Sequence, residues 1–307
     1  PILSNKEMRQ IKVMDYRGWR SFLIDITFDK AGGQKEMHDT LDRICKEASD
    51  AIQNGYSLII LSDRNICSTR MAISALAACG AIHHHLVNTH QRTQIGIIVE
   101  TGEAREVHHH CLLTGFGADA INPYLAFDAL MQAQRDNLLD PKKFPDMNTI
   151  AAAYKSGVGY GILKVMAKMG ISTLQSYKSA QIFEAVGLAE DIIDQCFKGT
   201  ASRIEGVNFA VLYEEMKRRH EIGYPSQEGL IKDILPNPGD IHWRKNGDTH
   251  MWDPQTIANL QVAVRTDSND SYQRFSDHAN EVATRNATLR GLLKFKESKS
   301  INIEDVE

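Results

Sequence analysis

The 307-residue sequence has few cysteines, no long apolar run and no excess of basic charge. Its five cysteines are scattered without a CxxC pair, which argues against a zinc knuckle or a disulfide framework and is typical of reduced thiols in an intracellular protein. The longest mostly apolar stretch, Ala72 to Ile82, is too short for a membrane helix, which needs about 20 residues. A net charge of -4 gives no signal for nucleic acid. We therefore expect neither a membrane nor a nucleic acid as a partner.

The first half of the chain alternates strand-like and helix-like segments. Short apolar runs predict strands near 22–28, 57–62, 94–100 and 118–121. Apolar residues at three- and four-residue steps predict helices between them, over 34–54, 68–87 (with Ser68 as N-cap), 105–113 and 125–134. Repeated strand–helix units predict an α/β fold, a mostly parallel sheet with helical crossovers that is either open or part of a barrel.

The second half is predicted to be mainly helical. The pattern indicates a long helix over 148–169 and shorter helices over 177–186, 191–197, 208–220, 255–264 and 271–293. Trp243, Met251 and Trp252 lie in a stretch rich in helix breakers, so we expect some of them to be exposed. The alternative is that the tail folds back and buries them. The tail over 294–307 is charged and has no periodic apolar face.

Polar residues cluster where two predicted strands end. Strand carboxyl ends are the usual place for chemistry in parallel α/β sheets. The candidates for binding a ligand or for acid–base work are therefore Asp63, Arg64, Glu100, Thr101 and Arg105. Ion-paired residues that only orient the loops are the alternative, because structural ion-pair networks also crowd such loops.

Two histidine triplets, 83–85 and 108–110, are conspicuous. Consecutive residues of a helix point roughly 100° apart, so a triplet does not present three ligands to one metal. His83 and His109 could still meet in space. A structural role is favoured, and no metal site is expected.

The glycine-rich run Gly157–Gly161 invites comparison with a phosphate loop. The dinucleotide fingerprint needs a third glycine at position 162, which is isoleucine, and the run lies inside a helical pattern. We expect close helix packing there instead. Lys164 and Lys168 are expected on a solvated face of the same helix, and the two hydroxyls of the segment Met169–Thr173 are expected to cap the next one.

Several long segments together resemble the large subunit of glutamate synthase, most closely the family's central domain. They occur in the family's order: Leu61–Arg64, Gly80–His85, Val99–His109, Gly115–Ala126, Lys168–Tyr177, Gln181–Gly187 and Gly199–Ile204. The resemblance spans nearly the whole chain and thins after about His220. Tyr160 and Ala167 stand where family members often have Lys and Ser, which weakens any polar role for that helix.

The resemblance implies a parent enzyme that makes two L-glutamate molecules from L-glutamine and 2-oxoglutarate. In that family an amidotransferase domain releases ammonia, a tunnel carries it to an FMN-binding barrel, and a 3Fe-4S cluster relays electrons. The central domain would join the amidotransferase domain to the FMN barrel and help to wall the tunnel. The implied location is the cytoplasm, or a plastid in a photosynthetic eukaryote.

The chain is several-fold too short for the whole enzyme. Pro1 stands where the amidotransferase would need cysteine, and no cysteine cluster for iron–sulphur binding occurs. We therefore expect an excised fragment, inactive alone, with no catalytic, cofactor-binding or metal-binding residue of its own. Its expected parts are the central domain over 1–220, helical from about 148, and a helical connector over 221–307 that leads to the FMN barrel.

Two alternatives stay open. The first is a self-sufficient α/β enzyme or small-ligand binder that uses the strand-end residues. The second concerns origin: Gly115–Ala126 resembles the late strands of flavin (β/α)8 barrels, so the domain could be a decayed relative of such a barrel, an analogy of fold alone.

Overall fold

The computed structural model describes residues 2–225, 237–293 and 302–305. The chain divides into two compact units, Pro1–Ile231 and Lys232–Glu307. Each unit is described by itself below.

The described residues of the first unit form nine strands, and helices lie on either side of its main sheet. Its strands are β1 (Asp15–Tyr16), β2 (Trp19–Asp25), β3 (Thr27–Asp29), β4 (Leu58–Ser62), β5 (Arg70–Ala72), β6 (Gly96–Glu100), β7 (Ala120–Asn122), β8 (Glu184–Ala185) and β9 (Ala201–Ser202). Its helices are α1 (Asn5–Lys12), α2 (Gly33–Gln53), α3 (Ala75–Asn88), α4 (Val107–Gly115), α5 (Tyr124–Arg135), α6 (Met147–Met169), α7 (Leu174–Tyr177), α8 (Glu190–Cys196) and α9 (Phe209–Gly223).

The main sheet has the order β1-β2-β4-β6-β7. Strands β2, β4, β6 and β7 are parallel, and β1 lies antiparallel on the β2 edge. The register aligns Leu61 with Val99, and Val99 with Ile121. Helices α2, α3 and α4 supply the crossovers, so the predicted α/β fold with a mostly parallel sheet is confirmed.

The two faces of the sheet are covered by different helices. Residues such as Ile59 and Val99 join the main apolar core with α2 and α3. The alternate residues, Ile60 and Ile98, pack against Met8 of α1. Strands buried on both faces explain why the sequence shows continuous apolar runs there rather than alternation.

Two predictions near the start of the sheet are wrong. The strand predicted over 22–28 is interrupted at Ile26, because the Asp25 carboxylate accepts a hydrogen bond from the Thr27 N–H at 2.8 Å and turns the chain. Beyond that turn, β3 pairs with β5 in a separate antiparallel ribbon. The helix predicted from Ser68 therefore begins only at Ala75, whose N–H donates to the Glu103 carboxylate at 2.7 Å.

Two helices predicted in the second half are also revised. The segment 177–186 is not a helix, because Ser179 and Gln181 adopt positive φ values of 61° and 52°. The segment 271–293 is not one regular helix, since a π-helical turn in which Thr284 Oγ1 donates to the carbonyl of Ala279 interrupts it. The other predicted helices of the second half are confirmed, over α6, α8, α9 and the first helix of the second unit.

Helix α6 contains the glycine-rich run in its interior. A Cβ at Gly161 would lie 2.4 Å from Val107 of α4, so close helix packing is confirmed at that glycine. Gly157 and Gly159 face open space, and there the packing interpretation is wrong. Lys164 and Lys168 are exposed, and Thr173 accepts the Ser176 N–H at the start of α7, as predicted.

The second unit is irregular over residues 237–253 and mainly helical from Pro254 to residue 292. Its helices are α10 (Pro254–Thr266), α11 (Asn269–Asp277), the π-helical segment His278–Ala283, α12 (Thr284–Ala287), α13 (Leu289–Leu292) and a short 3-10 turn at Ile303–Asp305. Asp253 caps α10 and also bonds to His278 at 2.8 Å. Trp243, Met251 and Trp252 are 43%, 48% and 60% exposed, so the predicted exposure is confirmed. The predicted aperiodic tail over 294–307 lies mostly outside the described residues.

Candidate functional site

Glu100, the last residue of β6, is the centre of a buried polar cluster at the carboxyl edge of the sheet. Its side chain is 2% exposed. It accepts hydrogen bonds from Ser62 Oγ at 2.6 Å, Arg64 Nε at 2.7 Å and Lys12 Nζ at 2.8 Å. Burial by itself would raise the pKa of Glu100, but these three donors outweigh it and hold the pKa below its ordinary value. The carboxylate is therefore ionised at neutral pH.

Asp63, one residue beyond β4, is the second buried carboxyl group. Its Oδ2 accepts from Thr101 Oγ1 at 2.6 Å and from the Gly102 N–H at 2.9 Å. Its Oδ1 has no hydrogen-bond partner among the residues that the structure describes. Burial raises the pKa of Asp63 above its ordinary value despite the bonds to Thr101 and Gly102. The two neighbouring carboxyl groups are thus held in different electrostatic environments.

Tyr124, which follows β7, connects the two carboxyl groups. The Arg64 guanidinium lies 3.9 Å from the centre of the Tyr124 ring, a cation–π contact. Burial, and then the nearby Asp63 carboxylate, raise the pKa of the Tyr124 hydroxyl. The phenol therefore stays protonated and available as a hydrogen-bond donor.

Four of the five candidate residues meet at this edge, and the fifth does not. Asp63, Arg64, Glu100 and Thr101 belong to the cluster. Arg105 is exposed outside it, and its own N–H donates to His109 at 3.2 Å. Sequence reasoning missed Lys12 and Tyr124. Tyr124 could have been found, since it follows a strand end like the others, whereas no local signal marks Lys12.

A cleft of about 310 Å³ lies beside the cluster. Asp63, Tyr124 and Arg105 form part of its wall, and Arg219 and His220 of α9 form another part. No spacing pattern connects α9 with the strand ends, because His220 reaches the carbonyl of Cys67 across 153 residues of chain.

The histidine triplets have structural partners. His83 Nδ1 accepts from Arg92 Nε at 3.0 Å, so its Nε2 carries the proton and donates to Ser179 Oγ at 2.6 Å. His109 instead takes part in the cap of α4 with Glu106. His83 and His109 thus bond to different partners. Burial lowers the pKa of His83 to about 4.

The described parts of the chain contain no group of side chains arranged to bind a metal ion. In residues 2–225, 237–293 and 302–305, no three His, Cys, Asp or Glu side chains gather to hold an ion. The five cysteines are free, and burial raises the pKa of the Cys79 and Cys196 thiols to about 12. Across the same ranges, no helix is both long and apolar enough to cross a bilayer.

Residues 1–189 match the family profile described as the glutamate synthase central domain. The chain belongs to that family. All of it aligns with "Glutamate synthase [NADH]" of Schizosaccharomyces pombe at 45% identity over 311 residues and of Saccharomyces cerevisiae at 45% over 316. It also aligns along its full length with "Glutamate synthase [NADPH] large chain" of Bacillus subtilis at 39% over 310 residues.

The central domain is a small part of these relatives. The alignments cover 15% of the two yeast proteins and 19% of the Bacillus subtilis protein, so the chain spans less than a fifth of their length. Among solved structures, a flavocytochrome b2 variant with sulfite bound is similar over 56% of this chain and 38% of its own, at 15% identity and a TM-score of 0.34. That score is too low to support an argument about fold or function.

Proposed function

We propose that this chain acts as the central domain of a glutamate synthase large chain, whose whole enzyme makes L-glutamate from L-glutamine and 2-oxoglutarate. The observation that supports this is full-length alignment at 45% identity to a small part of proteins named glutamate synthase. Its partners are then the amidotransferase and FMN-barrel domains of the same parent chain. The parts are the central domain over 1–220 and the connector over 221–307.

The cofactors of the parent belong, in this proposal, to other domains. The described residues offer no set of ligands that fits a 3Fe-4S cluster. The glycine-rich run Gly157–Gly161 lies inside α6, where its N–H groups serve the helix and do not cradle an FMN phosphate. The role proposed for this domain is therefore structural: it joins two active-site domains and helps to wall the ammonia path between them.

Two features support the joining role. The Glu100 cluster ties α1, β4 and β6 together at the strand ends, which suits a rigid connector. In the second unit, Met251 and Trp252 are about half exposed, and exposed apolar groups of this size are typical of surfaces covered by a neighbouring domain.

The test measures coupling in the full parent chain. Substituting Met251→Ser and Trp252→Ser together is expected to weaken the domain contact, so that ammonia is lost and fewer than two glutamate molecules form for each glutamine consumed. Val13→Ser, which changes an 82% exposed apolar residue outside the connector, is the matched control. An unchanged ratio of glutamine consumed to glutamate formed in the double variant would contradict the joining role.

A second candidate function is the binding of a small polar ligand at the strand ends by Asp63, Arg64, Glu100, Thr101 and Arg105. The unpartnered Asp63 Oδ1 favours it, because buried acceptors in proteins are normally satisfied. Titrating the 307-residue chain with FMN, 2-oxoglutarate and glutamine separates the two candidates. Saturable binding of any of them supports a ligand site. If none of them binds, only the structural role remains.

A further inference from the structure

Two residues that line the cleft each carry a buried polar atom without a hydrogen-bond partner among the described residues. Asp63 Oδ1 and His220 Nδ1 have no hydrogen-bond partner within the described ranges, and the two residues are only 2% and 8% exposed. The other polar atom of each side chain is in use: Asp63 Oδ2 accepts from Thr101, and His220 Nε2 bonds to the Cys67 carbonyl at 2.7 Å. Native proteins leave few such atoms unpaired, so a pair of them in one cleft wall indicates a missing donor.

The chemistry of that donor follows from the bonds already made. A carbonyl oxygen only accepts, so His220 Nε2 carries a ring proton, and an Nδ1 without a proton is an acceptor. Burial raises the pKa of Asp63, a nearby cation would favour its ionised, acceptor-only form, and no cation pairs with it among the described residues. An ammonium group supplies both several donors and the missing positive charge.

Another part of the cleft wall carries positive charge. Arg105 and Arg219 are exposed, and neither forms an ion pair with any carboxylate that the structure describes. Guanidinium groups that are exposed and not engaged in an ion pair suit a ligand carboxylate, which they bind through paired N–H donors. The lining of the cleft also includes the apolar residues Met71, Leu125 and Met216.

We propose that this cleft binds an α-amino acid with an apolar side chain. The ammonium lies at Asp63 and His220, the carboxylate at Arg105 and Arg219, and the side chain against the apolar residues of the lining. The inference rests on the second candidate function, a ligand site at the strand ends, and extends it to α9 and to a ligand class. Both unpaired atoms are shielded from water, and the proposal therefore includes a local shift of the cleft wall that exposes them to the ligand.

The experiment is calorimetric titration of the 307-residue chain with L-leucine. We expect saturable binding of one molecule per chain, weakened at least tenfold by Arg219→Gln and by Asp63→Asn. Arg219 is exposed, so its substitution tests the site even if Asp63→Asn disturbs folding. Lys164→Gln, on the exposed face of α6, is the control and leaves the affinity unchanged.

Two further probes carry half of the ligand each: 3-methylbutylammonium lacks the carboxylate and 4-methylpentanoate lacks the amine. Each is expected to bind at least tenfold more weakly than L-leucine. The inference is overturned if L-leucine does not bind, or if Arg219→Gln and Arg105→Gln both leave its affinity unchanged. If 4-methylpentanoate binds as tightly as L-leucine and Arg219→Gln abolishes the binding of both, the amino-acid assignment is wrong but the ligand site stands. If none of L-leucine, the two half-ligand probes, FMN, 2-oxoglutarate and glutamine binds, then the amino-acid assignment and the ligand site at the strand ends are both wrong.

Discussion

Ser62 and Glu100 close two neighbouring parallel strands in register, and the serine hydroxyl donates to the buried carboxylate at 2.6 Å. Lys12 and Arg64 bring two positive charges to the same carboxylate. The carboxyl edge of the sheet is thereby connected to α1 at the start of the chain. A buried charge with these partners is stable only while all of them stay in place, so the cluster rigidifies this edge.

Glu100→Gln is expected to destabilise the fold. The substitution keeps the shape but removes the charge that Lys12 and Arg64 face, and loss of hydrogen bonds to a charged group costs about 1.5–3 kcal/mol. Urea unfolding followed by circular dichroism measures the change. Glu184→Gln is the matched control, because its partner Arg203 is largely exposed and such surface pairs contribute about 0–1 kcal/mol. Equal effects of the two substitutions would show that the Glu100 cluster contributes no more than a surface pair.

Two glycines give opposite expectations for the same substitution. A Cβ at Gly80 in α3 would lie 2.1 Å from the carbonyl oxygen of Cys196, which is backbone and cannot move aside. We expect Gly80→Ala to destabilise the fold by about 1–3 kcal/mol through overpacking. Gly159→Ala in α6 meets nothing within 4 Å and is expected to stabilise by about 0.5–1 kcal/mol.

Chemical denaturation of both variants checks this pair. The order of stability should be Gly159→Ala, then the unsubstituted chain, then Gly80→Ala. A Gly80→Ala variant as stable as the unsubstituted chain would mean that α3 and α8 are not in the close contact described.

The sequence predicted the parallel strands and their crossovers because their apolar periodicity is local and strong. It did not predict the break at Ile26, since that depends on a short polar side chain, Asp25, turning the chain toward a partner strand far along the sequence. At the site, the strand-end rule found Asp63 and Glu100. It could not find Lys12 or His220, because their bonds span 88 and 153 residues and leave no spacing pattern.

His83 is expected to make the fold less stable in mild acid. Burial lowers its pKa from 6.5 to about 4 in the folded chain. Between these two values the unfolded chain binds a proton that the folded chain does not, so stability falls as the pH falls through that window and levels off below about 4. NMR titration of the His83 ring protons should give a midpoint near 4.

His83→Asn is expected to reduce this pH dependence, because asparagine keeps an acceptor for Arg92 but does not titrate. The dependence of stability on pH does not vanish in this variant, since burial also lowers the pKa of His110 to about 4. His90→Asn is the control: His90 is exposed, and its φ of 57° is one that asparagine tolerates. A His83 midpoint near the ordinary value would contradict the buried, neutral ring.

Of the three tryptophans, Trp252 reports on the surface proposed to meet a neighbouring domain. Trp19, Trp243 and Trp252 are 56%, 43% and 60% exposed, so the 307-residue chain should emit at long wavelength and be quenched readily by acrylamide. Trp252→Phe should remove part of the quenchable signal. In the full parent chain, with the other tryptophans replaced by phenylalanine, Trp252 should become less accessible to acrylamide, because a neighbouring domain covers it. If Trp252 is quenched equally in the short chain and in the parent, no domain covers it, and the exposed apolar residues of the second unit are ordinary surface.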